Sequence, residues 1–192
     1  MVKLKKLHWW LLAFNLIFLV VMMFIFWQRR NYEFMIGGLF TLLMIFVVIK
    51  LHQKYEFSDL TLVGLSLLAI AHKLGGGIYI NGATLYGQYL IPEVMRFDKP
   101  LHFLGIFVAT LACYYIIRPY VKKIDKLPIM YILLFFVGLG IGVFWEILEW
   151  LLVVVLPETG VGGYMNTMGD LVADFFGAIL AVVYLSYHGK GE

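Results

Sequence analysis

The sequence predicts an all-α, polytopic membrane bundle of about six transmembrane helices. Three observations carry this. Of the 192 residues, 62% are apolar, and mean hydropathy is +0.90; a soluble domain holds roughly 45–50% apolar residues. Six apolar runs approach the roughly 20 residues that cross about 30 Å of hydrocarbon: 9–27, 34–50, 60–72, 101–117, 128–156 and 169–187. Lysine and arginine divide unevenly between alternate connections, as cytoplasmic and external loops should.

The first run follows Lys3, Lys5 and Lys6, as a signal peptide would, but Trp, Phe and Met fill it and no small-residue cleavage site follows. It is read as an uncleaved anchor helix. The second carries no motif. The third is short and ends in Gly75-Gly76-Gly77, so its expected end is His72, and a five-span count follows if it dips in and returns. With the N-terminus inside, the cytoplasmic set is Lys3, Lys5, Lys6, Lys50, Lys54, Arg118, Lys122, Lys123, Lys126 and Lys190, against Arg29, Arg30, Lys73, Arg96 and Lys99 outside. Ten against five places both termini in the cytoplasm. Residues 1–192 are read as one integral membrane domain of a bacterial or archaeal plasma membrane, 1–54 without motif and 55–187 the motif-bearing core.

Segment 75–100 is too broken for a span, with its glycines, Asn81-Gly82 and Pro92, yet too apolar for a solvated loop. A capping external loop between spans three and four fits, its tyrosines at the interface where such rings are enriched. Segment 157–168 is Gly-rich and leads into Asn166-Thr167-Met168-Gly169-Asp170, which offers Asp170 a helix-capping role. Cys113 is the single cysteine and forms no intramolecular disulfide. The net charge of +3 is scattered and does not suggest nucleic acid.

Seven ionisable residues then stand out: His72, Asp98, His102, Glu146, Glu149, Asp170 and Asp174. In this topology each lies at the external end or outer half of its helix. Asp98/His102 and Asp170/Asp174 are i,i+4 pairs and Glu146/Glu149 an i,i+3 pair, so each pair shares a helix face. Ionisable groups inside apolar spans are costly, which makes such a convergence a functional-site hypothesis. The bland readings are packing or capping carboxylates for Glu146, Glu149 and Asp170, a loop-bonding His72, and snorkelling anchors for Lys73, Arg96 and Lys99. Gly138, Gly140 and Gly142 read as one small-residue packing face, joined by Gly177 and Ala181. His8, His52 and His188 have no evident partners.

The pieces His72-x-x-Gly75-Gly76, Asp98-Lys99-x-x-His102-Phe103, Glu146-x-x-Glu149-Trp150 and Gly169-Asp170-x-x-x-Asp174-x-x-Gly177 resemble the YjdF-type family of uncharacterised inner-membrane proteins. They resemble more distantly the VanZ-like family, associated with glycopeptide resistance, where Asn is expected at the place of Asp174 and a different polar partner at that of Glu149. The resemblance covers about residues 55–187. It implies a site location and carries no reaction with it.

Five carboxylates and two imidazoles cannot all stay ionised together without a compensating cation or proton. A bound divalent metal is the first solution, since carboxylate and imidazole donors suit Zn, Mn or Fe, or Mg and Ca if oxygens dominate. His102, Glu146, Asp170 and Asp174 are then the expected ligands. Glu149 serves as general base, and Asp98 orients His102 or completes the set. His72 and Asn166 are possible additional members, and Arg96 or Lys99 meets an anionic headgroup. The implied activity is a hydrolase or transferase acting on membrane lipid, or on a lipid-linked or envelope substrate. The alternatives are a proton or cation relay serving transport or ligand binding, and a structural polar network. No Gly-rich phosphate loop, nucleophile elbow or Cys-based zinc motif is present, which leaves soluble-enzyme classes without support.

Overall fold

A computed structural model describes residues 4–121 and 128–189; of the basic residues used for orientation, Lys3, Lys122, Lys123, Lys126 and Lys190 lie outside them. The elements are α1 (Lys6–Gln28), α2 (Tyr32–Tyr55), α3 (Asp59–Gly77), β1 (Tyr79–Ile80), β2 (Ala83–Thr84), β3 (Tyr89–Ile91), β4 (Met95–Arg96), α4 (Asp98–Ile117), α5 (Pro128–Val155) and α6 (Tyr164–His188). Short 3₁₀ turns occupy Leu85–Gly87 and Arg118–Tyr120. All six helices are long and apolar enough to cross a membrane, so the protein is an all-α, multi-pass membrane protein. The chain divides into two compact units, Met1–Asp98 with Leu156–Gly160, and Lys99–Val155 with Val161–Glu192.

The first unit contains α1–α3. Asn31 caps α2 by accepting from Phe34 N at 3.2 Å, and Ser58 caps α3 by accepting from Thr61 N at 3.2 Å. Each satisfies a backbone donor that a helix start leaves free. At 19 residues α3 is one unbroken helix, about 28 Å long at 1.5 Å per residue, which removes the five-span alternative. It runs past His72 because its three glycines close its last turn. A Cβ on Gly75 would strike the Tyr86 ring, on Gly76 the Phe34 ring, and on Gly77 the Met22 methyl. Close packing, rather than helix breaking, accounts for the triplet.

The expected loop after α3 folds as two antiparallel hairpins, pairing Tyr79 with Thr84 and Tyr89 with Arg96. Asn81 and Gly82 both have positive φ, +51° and +83°, the signature of the tight turn that matches strand twist. Tyr79, Ile80, Tyr89, Leu90, Ile91 and Val94 remain exposed.

All three histidines expected to be without partners do have them. His8 and His52 are buried, with His52 Nε2 3.2 Å from His8 Nδ1 and His8 Nε2 3.0 Å from Asp59 Oδ1. In the second unit, His188 stacks on Tyr184 at 4.4 Å between ring centroids. That unit contains α4–α6, and its apolar core joins Leu111, Tyr114, Met130, Leu134, Ala181 and Leu185.

Candidate metal centre

In the second unit, glycines decide how near the helices come. A Cβ on Gly177 of α6 would lie 3.2 Å from the backbone carbon of Phe103 on α4. On α5, Gly138 faces Thr110 and Ala178, while Gly142 faces Asp174, with Cγ 2.8 Å from the point a Cβ would occupy. Gly140, expected on the same face, has nothing within 4 Å. Residues four apart share a helix face and residues two apart do not, so the packing face is Gly138 and Gly142 alone. One turn beyond Gly142, that face presents Glu146.

His102 is the hub of what these glycines bring together. Its Nδ1 lies 3.2 Å from Asp174 Oδ1 and 3.7 Å from Glu146 Oε1; its Nε2 lies 3.5 Å from Asp170 Oδ1 and 3.9 Å from Glu149 Oε1. Asp170 and Asp174 are fully buried, and His102 and Glu146 nearly so. A carboxylate only accepts, so with Asp174 ionised the proton of the His102–Asp174 bond belongs to Nδ1. In the neutral ring that leaves Nε2, facing Asp170 and Glu149, as the nitrogen with the free lone pair.

The surrounding groups hold these carboxylates in place. Lys99 Nζ donates to Asp170 Oδ1 at 2.8 Å and to Asn166 Oδ1 and O at 2.9 and 3.2 Å. Asn166 Nδ2 donates to Asp170 Oδ2 at 2.7 Å. Trp145 Nε1 donates to Glu149 Oε1 at 2.8 Å. Two carboxylate oxygens, Glu146 Oε1 and Asp174 Oδ2, are buried and accept no hydrogen bond among the described residues. Buried polar atoms are nearly always paired, so these two oxygens are unusual. One ligand atom each from His102, Glu146 and Asp170 can be chosen so that all three lie within 4.8 Å of one another.

His102, Glu146, Glu149, Asp170, Asp174, Asn166 and Lys99 therefore gather in one unit. His72, Arg96 and Asp98 fall in the other: His72 late in α3 between the rings of Phe34 and Tyr86, Arg96 in β4 paired with Tyr89, and Asp98 buried as the first residue of α4. Asp170 is not the helix cap that the sequence suggested. α6 begins six residues earlier, with Gly163 at its cap position, because Asn166, Thr167 and Met168 extend the helix. Lys99, expected to reach a headgroup, turns inward to Asp170. Asn166 belongs to the first turn and a half of α6 rather than to a loop. Sequence reasoning passed over Trp145, although its i,i+4 spacing to Glu149 is visible; Gly142, read there as packing, is seated against Asp174.

Fold and site together define a multi-pass membrane protein with a buried histidine–carboxylate cluster among three of its helices. The chain belongs to the family described as Predicted membrane protein (DUF2238), which matches residues 7–191. The YjdF-type likeness is consistent with that family, whereas the VanZ-like one is not supported. An uncharacterised protein of Thermotoga maritima is 30% identical over 122 residues, covering 61% of this chain and 62% of that protein. No solved structure matches.

Proposed function

We propose that the second unit binds a divalent metal ion through His102, Glu146 and Asp170, for hydrolysis or group transfer on a lipid or cell-envelope substrate. The observation that carries the metal is the buried, unpartnered Glu146 Oε1 beside His102. Charge supports it. With His102 neutral, as a metal ligand must be, four ionised carboxylates (Glu146, Glu149, Asp170 and Asp174) face the single lysine Lys99, and a divalent ion cancels two of the three remaining negative charges. One imidazole among carboxylates suits a first-row ion such as Zn, Mn or Fe.

Asp174 supports the site from behind, fixing the His102 tautomer as carboxylates do for metal-bound histidines. This differs from the ligand role that the sequence suggested for it. Lys99 and Asn166 fix Asp170 in the same way. Glu149, the most exposed of the four acids at 17% of its side chain, is the general base. A metal here supplies Lewis acidity toward a phosphoryl or carbonyl oxygen and an acidified water. The lipid or envelope assignment follows from the membrane setting, where such substrates are the ones at hand.

Elemental analysis of protein purified without chelator tests the metal. Near-stoichiometric metal in the wild type, lost in Glu146→Gln and in Asp170→Asn, is the expected result. No metal in correctly folded wild type replaces this reading with a proton-sharing network, the arrangement that serves transport or ligand binding.

A further inference from the structure

The first unit holds a second unusual group, Lys73 of α3. The sequence suggests an interfacial anchor, yet Lys73 is only 1% exposed. Its Nζ has one hydrogen-bonding partner among the described residues, His72 Nδ1 at 3.3 Å. No carboxylate of the described residues lies within salt-bridge range of it. Beneath the amine is the bare backbone of Gly37 on α2, where a Cβ would lie 3.4 Å from Nζ and 3.7 Å from His72 Cε1. Over His72 lies Tyr86, 5.3 Å between ring centroids, on the turn that follows the first hairpin.

An ammonium has three donors, and this one has a single acceptor. A buried charge without a counter-charge costs several kcal/mol. An imidazole nitrogen does not supply one. The group lies four residues before the end of an α3 that is about as long as the hydrocarbon is thick, so it sits near the depth where lipid phosphates begin. We infer that Lys73 and His72 form a phosphate-type anion site under the Tyr86 turn, filled either by a phospholipid headgroup or by a free phosphate. All of its residues belong to the first unit.

The experiment is thermal unfolding of delipidated, detergent-solubilised protein, with Lys73→Met beside the wild type. Three additions are compared: inorganic phosphate, phosphatidylglycerol mixed micelles and phosphatidylcholine mixed micelles. At about 100-fold over the dissociation constant, an anion specific to the folded state raises the wild-type midpoint by roughly 5–10 °C. A rise with phosphate identifies the free anion. A rise with phosphatidylglycerol but not with phosphate or phosphatidylcholine identifies the headgroup. In either case Lys73→Met should show no rise, and without additive it should melt at or above the wild type, since it removes an unpaired buried charge. If neither probe shifts the wild type, or if Lys73→Met shifts as the wild type does, the site does not exist and Lys73 is held as a neutral amine. The wild-type arm decides this even if the variant fails to fold.

Discussion

Adding one methyl group at Gly142 probes the cluster without touching any of its polar atoms. In Gly142→Ala the new Cβ falls 2.8 Å from Asp174 Cγ and 3.1 Å from Asp174 Cβ, where carbon pairs rest at about 3.5–4.0 Å. Relief requires the carboxylate to retreat by roughly 1 Å, because Asp174 is fully buried and has no open side to swing toward. The same retreat stretches its 3.2 Å contact with His102 Nδ1 to about 4 Å, beyond hydrogen-bond range. Overpacking costs about 1–3 kcal/mol, and a hydrogen bond to a charged group is worth about 1.5–3 kcal/mol. A loss of about 2–4 kcal/mol is expected, or roughly 5–15 °C in the unfolding midpoint. Thermal unfolding in detergent reads it, with Gly140→Ala as the matched control: nothing lies within 4 Å of that position, so its change should stay within about 0.5 kcal/mol. Asp174→Ala in both backgrounds completes a double-mutant cycle, and a coupling of at least about 1 kcal/mol is expected from two groups in contact. Equal midpoints for Gly142→Ala and Gly140→Ala, or additive effects in the cycle, would refute the packing argument and with it the seating of Asp174 against α5.

Two further outcomes follow from the same geometry. Lys99→Met leaves the buried Asp170 without its ammonium partner at 2.8 Å, so metal-free protein should lose about 3–5 kcal/mol. Saturating divalent metal should restore much of that; unfolding midpoints with and without metal check it, and a variant as stable as the wild type in both states counts against the pairing. For orientation, a reporter fused after Glu192 and a cysteine label at Thr159 are expected on opposite faces of the membrane, and impermeant labelling that finds both on one face overturns the topology.

The fold was legible because hydrophobicity over some twenty residues is a bulk property that neighbours do not reverse. All six helices appear where apolar runs stand, and Asn81-Gly82 marked its turn because two adjacent positive φ angles suit those residues. Helix ends were less legible. Gly75–Gly77 looked like a terminus, yet in α3 each glycine accommodates a ring or a methyl from another segment, which α3's own sequence does not record. Asp170 looked like a cap because the polar residues before it resemble a loop. They are polar for another reason, since Asn166 holds both Asp170 and Lys99.

The spacing anticipated that Glu146, Glu149, Asp170 and Asp174 gather near His102, whereas His72 and Asp98 fall in the other unit. The roles were not readable, because direction is set by partners far along the chain. Lys99 and Lys73 show this most clearly. Both are long, flexible cations near helix ends, and on sequence alone each has the same default of reaching toward the interface. Lys99 instead turns to acceptors on a helix that begins some 65 residues later, and becomes a fixed counter-charge. Lys73 turns inward too, but among the described residues it meets only the neighbouring imidazole. The difference lies in what each finds. Where α6 supplies Asp170 and Asn166, the lysine's charge is answered by the protein itself, and the remaining demand of the cluster is for a cation beside Glu146. Where α2 supplies the bare backbone of Gly37, the lysine's charge is unanswered, and the demand is for an anion. Two inward-facing lysines thus place opposite requirements on what binds near them, and each requirement is tested by adding the ion it calls for.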